Sequence, residues 1–325
     1  MENKVLTDRY GRDITYMRIS ITSRCNFNCF YCTSKVSEDS LEKEFNTEDY
    51  SFILPNLKEL GFKKVRLTGG EPLIRKDIVN IVSATNNAGF KEIVLTTNGS
   101  NLKNIASELK EAGLSRVNVS LDTLSKSNFK FITGVDKFSD VYLGILKAIE
   151  VGLTPLKINT VLLKGVNDQE LVSLAKLSLD LPVIIRFIEL MPVKGNFIWE
   201  RYFLSFKDAL MILREKLELE AIEESSDDVA SYYKIANSKG KIGFITSVSQ
   251  HFCSRCNRLR LSSAGRIYPC LFSRIFVDTW DAVKSRNSNE FKSKIKEAIF
   301  VKPEAHGEIK IGNKEYIENM REVGG

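Results

Sequence analysis

The chain has 325 residues, 43% of them hydrophobic, and its 47 basic and 41 acidic residues give a formal net charge of +6. This hydrophobic content is ample for a core and excludes a disordered chain. No apolar run approaches the length needed to span a bilayer. The mild basic excess suits an anionic substrate, although a solvated surface is the default explanation for most of these charges.

Short β-rich runs alternate with amphipathic segments over the first two-thirds of the chain. The predicted strands are Tyr16–Thr22, Lys64–Thr68, Glu92–Thr97, Arg116–Leu121, Leu156–Leu163 and Val183–Glu189. The predicted helices are Thr47–Leu60, Asp77–Ala88, Leu102–Ala112, Asp140–Val151 and Asp168–Leu179. Left-handed helix ends are expected at Gly61, Gly89, Gly113 and Gly152. Six βα units predict an α/β fold, a partial (βα)6 TIM-like barrel with a small C-terminal cluster-binding domain.

Three cysteines directly follow the first predicted strand. Cys25, Cys29 and Cys32 have a C-x3-C-x2-C spacing, and thiolates so placed on one loop can converge on a single soft metal centre. A mononuclear structural zinc ion requires four protein ligands. An iron–sulfur cubane held by three cysteines instead leaves one iron open to an exogenous ligand. The spacing favours iron–sulfur over zinc, with zinc still open at this point.

A second triad lies far downstream, at Cys253, Cys256 and Cys270, and the chain has no cysteine outside the two triads. Six cysteines could in principle form disulfides. However, Met1–Arg12 is polar and lacks the apolar segment of a secretory signal. Reduced, metal-binding cysteines in a cytoplasmic protein are therefore the favoured interpretation.

Candidate functional turns follow five of the six predicted strands. They are Cys25–Cys32, Thr68–Pro72, Thr96–Gly99, Ser120–Asp122 and Glu189–Pro192. Ligands of parallel α/β folds bind at the C-terminal ends of the strands. Each turn alone is an ordinary βα loop, but together they predict a ligand site along one rim.

The sequence C-N-F-N-C-F-Y-C at residues 25–32, followed by G-G-E-P at residues 69–72, resembles the radical S-adenosylmethionine (SAM) superfamily. The resemblance implies that the first triad holds a [4Fe–4S] cluster whose open iron is chelated by SAM. In such enzymes the cofactor carries the radical chemistry, and the protein positions it and excludes oxygen and water. The SAM contacts implied by this resemblance are Tyr31, Gly70, Ser120 and Met191.

Further motifs resemble one family within this superfamily, the GTP 3′,8-cyclases, or molybdenum cofactor biosynthesis protein A. These motifs are Tyr10–Arg12, Arg18, Lys164–Asp168, Ile188–Pro192, Phe252–Arg260 and Gly324-Gly325. The C-x2-C-N-R-L-R-x9-C arrangement of residues 253–270 is far more specific than the first triad. The chain departs from the family pattern at Ser23, Asn28 and Thr33-Ser34, which flank the first triad without being ligands.

The family resemblance implies a second [4Fe–4S] cluster on the second triad, with GTP bound at its open iron. The implied GTP contacts are Arg18, Arg66, Thr96, Lys157, Arg258, Leu259 and Arg260. Arg258 and Arg260 alternate in an extended segment, so both can point to one side. Arg18 and Arg66 lie within strand patterns, where a solvent-facing or ion-paired arginine is the ordinary interpretation.

The implied reaction rearranges GTP to (8S)-3′,8-cyclo-7,8-dihydroguanosine 5′-triphosphate, an early step of molybdenum cofactor biosynthesis. The C-terminal Gly324 and Gly325 are implied to reach into the active site as catalytic residues, although a frayed terminus is commoner. The implied partners are an electron-donor protein and a cyclic pyranopterin monophosphate synthase that takes the product. Neither nucleic acid nor a membrane is expected, and homodimer formation stays open.

The predicted domain boundary separates a partial barrel at residues 1–217 from a cluster- and GTP-binding domain at residues 218–325. The acidic stretch Glu218–Asp228 marks the transition between these two predicted domains. Two other classes of protein stay open. One is a radical SAM peptide-maturing enzyme, which usually has more than three downstream cysteines. The other is a zinc-binding nucleic-acid protein, against which the three-ligand triads and the unclustered charge argue.

Overall fold

A computed structural model describes residues 5–32, 43–193, 198–222, 230–307, 317 and 320–324 of the protein. Thr33, Ser34 and Gly325, and residues 223–228 of the acidic stretch, lie outside the described residues. The strands are β1 (Tyr16–Ser20), β2 (Lys64–Thr68), β3 (Glu92–Thr97), β4 (Arg116–Ser120), β5 (Leu156–Leu162), β6 (Val183–Glu189), β7 (Leu219–Ile222), β8 (Ser231–Ile235), β9 (Lys241–Ile245), β10 (Arg258–Leu261), β11 (Arg266–Tyr268) and β12 (Val277–Asp278). All six predicted strands are present, with ends that differ from the prediction by at most two residues.

The helices alternate with the strands as predicted. They are α1 (Thr47–Glu59), α2 (Ile78–Asn87), α3 (Leu102–Glu111), α4 (Lys126–Thr133), α5 (Phe138–Glu150), α6 (Leu171–Asp180), α7 (Ile198–Tyr202), α8 (Phe206–Arg214), α9 (Trp280–Lys284), α10 (Ser288–Phe300) and α11 (Met320–Val323). The four predicted left-handed glycines have φ values of +88°, +84°, +104° and +72°. No helix of the described residues is both long and apolar enough to cross a membrane.

The described strands form one sheet, in the order β12-β11-β10-β1-β2-β3-β4-β5-β6-β9-β8-β7. Strands β1 to β6 are parallel neighbours in sequence order, as six βα units require. Successive side chains along each strand face opposite sides. One side is apolar and fully buried, for example Met17 and Ile19 on β1 and Val65 and Leu67 on β2. The other side carries polar and basic residues and lines the inside of the curved sheet.

The C-terminal part of the chain extends the same sheet at both edges. Strand β10 pairs in parallel with β1, and β9 pairs in parallel with β6. Helices α9 and α1 are joined through Asp49, whose buried carboxylate accepts from Lys284 Nζ at 2.6 Å and from Arg286 Nη1 at 2.8 Å. The described C-terminal strands therefore belong to the same sheet as β1 to β6. The boundary at residues 217 and 218 stays a prediction.

Candidate active site

The first cysteine triad lies on the loop that follows β1, and the end of α4 holds this loop in place. The Asn28 N–H donates to the Thr133 carbonyl at 2.9 Å, and the Phe30 N–H donates to the Ile132 carbonyl at 3.0 Å. All six cysteines of the chain are free thiols, so no disulfide forms. Each triad thus presents three thiols, the donor set that iron–sulfur clusters use.

The thiols of the first triad hold their protons in the metal-free protein. Burial raises the pKa of Cys25 and raises that of Cys29 well above the usual thiol value. Burial also raises the pKa of Cys32, although the Arg321 guanidinium offsets part of this effect. Thiolate ligation in this loop must therefore release protons.

The loop after β2 packs directly against the cysteine loop through its two glycines. A Cβ on Gly69 would lie 2.4 Å from the Thr22 carbonyl oxygen, and one on Gly70 would lie 2.3 Å from the Arg24 carbonyl oxygen. The Gly70 N–H donates to the Thr22 carbonyl at 2.7 Å. Contact between two backbones requires glycine here. The SAM contact predicted at Gly70 stays a prediction.

Glu71 joins the rim turns after β2 and β3. Its buried carboxylate accepts from Thr97 Oγ1 at 2.6 Å and from the N–H groups of Asn98 at 2.6 Å and Leu73 at 2.9 Å. Burial raises the pKa of Glu71 to about 7 despite these three donors. Because every described contact of the carboxylate is within the rim, Glu71 fixes the geometry of the loops beside the first triad.

Tyr31, a predicted SAM contact, is tied to the rim turn after β4. Its hydroxyl donates to Asp122 Oδ2 at 2.7 Å, and the Val161 N–H donates to Asp122 Oδ1 at 2.8 Å. Burial raises the pKa of Asp122 to about 6. Ser120, another predicted SAM contact, ends β4 on the inner face of the sheet. Asp122 was not among the predicted site residues, and its rim position is the signal that indicates it.

A cavity of about 440 Å³ occupies the inside of the curved sheet. The second triad lines it through Cys253, Cys256 and Cys270, as does the predicted SAM contact Met191. Among the described lining residues, ten carry arginine or lysine side chains, and one, Glu92, carries a carboxylate. Such a strongly cationic, partly enclosed cavity fits a highly charged anionic ligand.

Strand register places three predicted GTP contacts side by side. Arg18 on β1 pairs with Arg66 on β2 and with Arg260 on β10, and all three line the cavity. Burial and the Arg260 charge lower the pKa of Arg18 well below its usual value. Burial and the Arg258 charge lower the pKa of Arg260 to about 10. The crowded guanidinium groups repel one another, and a bound anion relieves this repulsion.

The other predicted GTP contacts have different surroundings. Arg258 and Lys157 line the cavity, and Lys157 Nζ donates to the Tyr232 hydroxyl at 3.2 Å. Thr96 lies on the inner face of β3, where its hydroxyl accepts from Asn118 at 3.3 Å. Leu259 points the other way and is fully buried in the core. A GTP contact of Leu259 would therefore have to come from its backbone, and this contact stays a prediction.

Sequence reasoning missed several polar residues that line the same cavity. They are Lys64, Glu92, Arg116, Asn159 and Arg186. Their signal was present in the two-residue alternation of the strands, since each lies on the inner side when apolar residues face the helices. Arg186 is 4% exposed, and its Nη2 donates to Asn159 Oδ1 at 2.6 Å.

The antiparallel pairing of β10 and β11 returns the chain towards Cys256, and the three cysteines of the second triad line the same cavity. Arg260 pairs with Tyr268, so continuing this register by two residues places Cys270 opposite Arg258, which is two residues from Cys256 in the chain. Burial would raise the pKa of the Cys256 thiol, but the Lys302 and Arg258 charges outweigh it and lower that pKa. Burial raises the pKa of Cys270. Between these two thiols, Cys256 ionises more readily relative to its usual value.

The N-terminal loop supports the second triad through Arg12. Its buried guanidinium donates from Nη1 to the Cys253 carbonyl at 2.8 Å and to the Glu304 carbonyl at 2.7 Å. Nη2 donates to the Pro303 carbonyl at 2.6 Å, while Nε binds Asp8 at 2.6 Å. Arg12, from the predicted motif at residues 10–12, thus connects the second triad with the segment after α10.

The C-terminal tail enters the molecule between the two triads. Ser20 Oγ donates to the Arg321 carbonyl at 2.9 Å, and Arg321 Nη2 donates to the Phe27 carbonyl in the first cysteine loop at 3.1 Å. Val323 packs in a small apolar cluster that includes Cys270. The predicted tail glycine at position 324 lies inside the molecule, whereas position 325 is outside the described residues.

The described residues leave polar atoms for a ligand. Tyr16 Oη, Asn118 Oδ1 and Arg258 Nε are buried and lack a hydrogen-bond partner among the described residues. Buried polar atoms without a partner are costly unless a ligand or water satisfies them. No group of three or more His, Cys, Asp or Glu side chains in the described ranges lies close enough to hold a single metal ion.

Comparison with known proteins assigns the class. Residues 19–178 match the family model of the radical SAM superfamily, and residues 183–308 match that of Molybdenum Cofactor Synthesis C. SuiB of Streptococcus suis, solved with bound S-adenosylmethionine, has a TM-score of 0.62 at 16% identity, over 94% of this chain and 76% of SuiB. Native anSMEcpe with bound AdoMet has a TM-score of 0.59 at 18% identity, over 88% and 84%. At these identities the likeness concerns the fold, which is that of radical SAM enzymes.

Sequence relatives narrow the class to one family. The GTP 3′,8-cyclase of Desulforamulus reducens is 40% identical over 308 residues, which cover 93% of this chain and 95% of the relative. The GTP 3′,8-cyclase of Peptoclostridium acidaminophilum is 41% identical over 334 residues and the full length of both. The chain belongs to the GTP 3′,8-cyclase family. This membership decides against the zinc-binding nucleic-acid protein and the peptide-maturing enzyme.

Proposed function

We propose that this enzyme rearranges GTP to (8S)-3′,8-cyclo-7,8-dihydroguanosine 5′-triphosphate, an early step of molybdenum cofactor biosynthesis. The observation that carries the proposal is the cationic cavity lined by the second triad. A nucleoside triphosphate carries about four negative charges at neutral pH, which convergent guanidinium and ammonium groups can bind. The adjacent Arg18, Arg66 and Arg260 form the centre of this cationic lining.

The first triad is proposed to hold a [4Fe–4S] cluster, and SAM is proposed to contact Tyr31, Gly70, Ser120 and Met191. When bound, the cluster and SAM would supply a 5′-deoxyadenosyl radical that takes the hydrogen atom from ribose C3′. Bonding of C3′ to guanine C8 would then need one electron and one proton to give the dihydro product. The chain's own residues orient and shield the reactants. Asp122 fixes the Tyr31 hydroxyl, and Glu71 fixes the neighbouring rim turns. Orientation of this kind supplies a large part of a rate enhancement.

A second [4Fe–4S] cluster on Cys253, Cys256 and Cys270 belongs to the same proposal, with GTP at its open iron. Support comes from three free thiols that line the cavity, one of them with a lowered pKa. Arg258, Leu259 and Arg260 lie beside these thiols in the chain, and Thr96 and Lys157 belong to the same inner face of the sheet.

The proposal extends to partners and location. An electron-donor protein supplies the reducing equivalents, and a cyclic pyranopterin monophosphate synthase takes the unstable product. These proteins would meet the enzyme in the cytoplasm. Gel filtration of the enzyme alone measures whether it forms a homodimer.

The test is an anaerobic assay of reconstituted enzyme with SAM and dithionite, with GTP present or omitted. 5′-Deoxyadenosine and GTP are quantified in the same samples. Deoxyadenosine formed in step with GTP loss supports both the radical chemistry and the substrate. Deoxyadenosine without GTP loss would support radical SAM chemistry but reject GTP as the substrate. Neither change, in protein with both clusters loaded, would reject the proposed reaction.

A further inference from the structure

A buried lysine from outside both cysteine motifs contacts the second triad. Lys302 follows α10, and its side chain is almost completely buried, with 2% of the residue exposed. Its Nζ donates to the Pro269 carbonyl at 2.7 Å, to the Arg258 carbonyl at 2.9 Å and to Cys256 Sγ at 3.6 Å. One ammonium group therefore connects the segments that carry Cys256 and Cys270.

The groups around the Lys302 ammonium group determine how its buried charge is compensated. In the described part of the chain, no carboxylate lies within ion-pair distance of its Nζ. Burying an ammonium group is costly unless hydrogen bonds and an opposite charge compensate it. Two carbonyls supply the hydrogen bonds, and the nearest group that can become an anion is the Cys256 sulfur. The Lys302 ammonium group therefore lies beside the sulfur that would be a negatively charged thiolate ligand.

We propose that Lys302 is a positioning residue for the second cluster. It fixes the Cys256 and Cys270 segments relative to each other, and its charge offsets the negative charge of the thiolate-bound cluster. This inference rests on the second cluster of the proposed function. Partners of metal ligands set both ligand geometry and the properties of the bound metal, and hydrogen bonds to the sulfurs and local charge set cluster potentials.

The experiment uses the full chain with Cys25, Cys29 and Cys32 replaced by Ala, so that iron and sulfide report the second cluster alone. Lys302→Gln removes the charge and keeps N–H donors, whereas Lys302→Met removes both. After anaerobic reconstitution, we expect both variants to lose iron to a chelator about 10- to 100-fold faster than the parent. Reduction followed by electron paramagnetic resonance should show a more negative midpoint potential in both, since the reduced cluster loses a stabilising cation.

Lys284→Gln in the same background is the matched control. It removes a lysine of the C-terminal part whose partner is Asp49 on α1, and it should leave iron retention and midpoint potential unchanged. A second control combines Lys302→Gln with Ala at the three cysteines of the second triad. This protein should load the first cluster as its Lys302 parent does, which shows that the fold is intact.

The outcomes separate this inference from the proposed function. A parent that binds no iron in the first background would reject the second cluster itself. A parent that binds a cluster, with Lys302→Gln unchanged in retention and potential, would overturn the role of Lys302. Failure of both variants to fold would also overturn it, because Lys302 would then serve the general fold. If only Lys302→Met fails to fold, the Gln variant decides alone.

Discussion

Arg260 donates from Nη1 to the carbonyl of Gly324 at 2.6 Å and to that of Val323 at 3.0 Å. Arg260 lies on β10 within the second-triad motif, so it binds the C-terminal tail at the wall of the cationic cavity. At the other end of the tail, Arg321 reaches the first cysteine loop. The tail therefore bridges the two halves of the candidate site.

Removal of Gly324 and Gly325 should abolish cyclisation of GTP. The truncated chain loses the Gly324 carbonyl that Arg260 binds at the wall of the cavity. Consumption of GTP and formation of 5′-deoxyadenosine by the truncated enzyme should be measured together. We expect GTP consumption to disappear while uncoupled SAM cleavage persists. Normal GTP turnover by the truncated chain would contradict a catalytic role for the tail.

Gly324→Ala should displace the tail while keeping its length. Gly324 has φ +69°, and an added Cβ would lie 2.5 Å from Thr68 Cγ2. A small displacement of reacting groups can lower a rate about 100-fold, which we expect here for cyclisation. Gly152→Ala is the matched control, because Gly152 has φ +72° and open space around its Cβ position. Adding Thr68→Ser, which removes the clashing methyl group, should restore part of the activity. Failure of that second change to help would argue against the clash.

The two cysteine triads should separate into different functions. Replacing Cys25, Cys29 or Cys32 with Ala should stop SAM cleavage, because the first cluster loses a ligand. Replacing Cys256 with Ala should spare some SAM cleavage and eliminate GTP turnover. Iron content and 5′-deoxyadenosine are measured for each variant. Equal loss of SAM cleavage in a Cys256 variant whose first cluster is intact would make this division of roles wrong.

The positions of the strands and helices in the first two-thirds of the chain were predictable because their signals are local. These signals are the alternation of β-rich with amphipathic segments and the glycines at helix ends. Helix α4 was missed, although Ser125 accepts from the Asn128 N–H at its start and Gly134 ends it with φ +74°. Eight residues are too few for a clear helical period. The pairing of β10 with β1 was also out of reach, since the two strands are more than 200 residues apart. Long-range register leaves no local signal in either strand.

The cysteines and the basic motif residues of the site were predictable from their spacing and family resemblance. Arg186 was missed, although strand alternation places it on the inner side, because one arginine in an apolar strand does not by itself indicate a ligand contact. Its role depends on β6 lying beside β5, where Asn159 binds its guanidinium. Lys302 was missed for the same reason, since its partners come from β10 and from the segment after β11.

Arg186→Gln should weaken GTP binding. Arg186 is buried on the wall of the cavity and is oriented by two donations to Asn159 Oδ1, at 2.6 and 3.0 Å. A hydrogen bond to a charged group contributes about 1.5–3 kcal/mol, so the KM for GTP should rise roughly 10- to 100-fold. Lys147→Gln removes the same charge from the surface of α5, where Lys147 binds Glu150, and should have no effect. If the KM for GTP changed equally in both variants, the effect would come from the net charge of the protein and not from a contact of Arg186.

Asp122 should make the stability of the metal-free protein depend on pH. Burial raises the Asp122 pKa from 3.8 to about 6, so the folded chain binds this proton more tightly than the unfolded chain. Stability therefore falls as pH rises from about 4 to about 6 and stays lower above that range. The shift corresponds to about 3 kcal/mol at most.

Asp122→Asn removes this titration and keeps an acceptor for the Val161 N–H. We expect the Asn variant to gain stability relative to the parent as pH rises from 4.5 to 8, measured by urea unfolding of metal-free protein. Tyr31→Phe should act in the opposite direction, because the Tyr31 hydroxyl donates to Asp122 and lowers its pKa. Its loss raises that pKa further, so the decline in stability with pH becomes steeper. Parallel stability profiles for the parent and the Asn variant would show that Asp122 ionises in the folded chain as it does in the unfolded one.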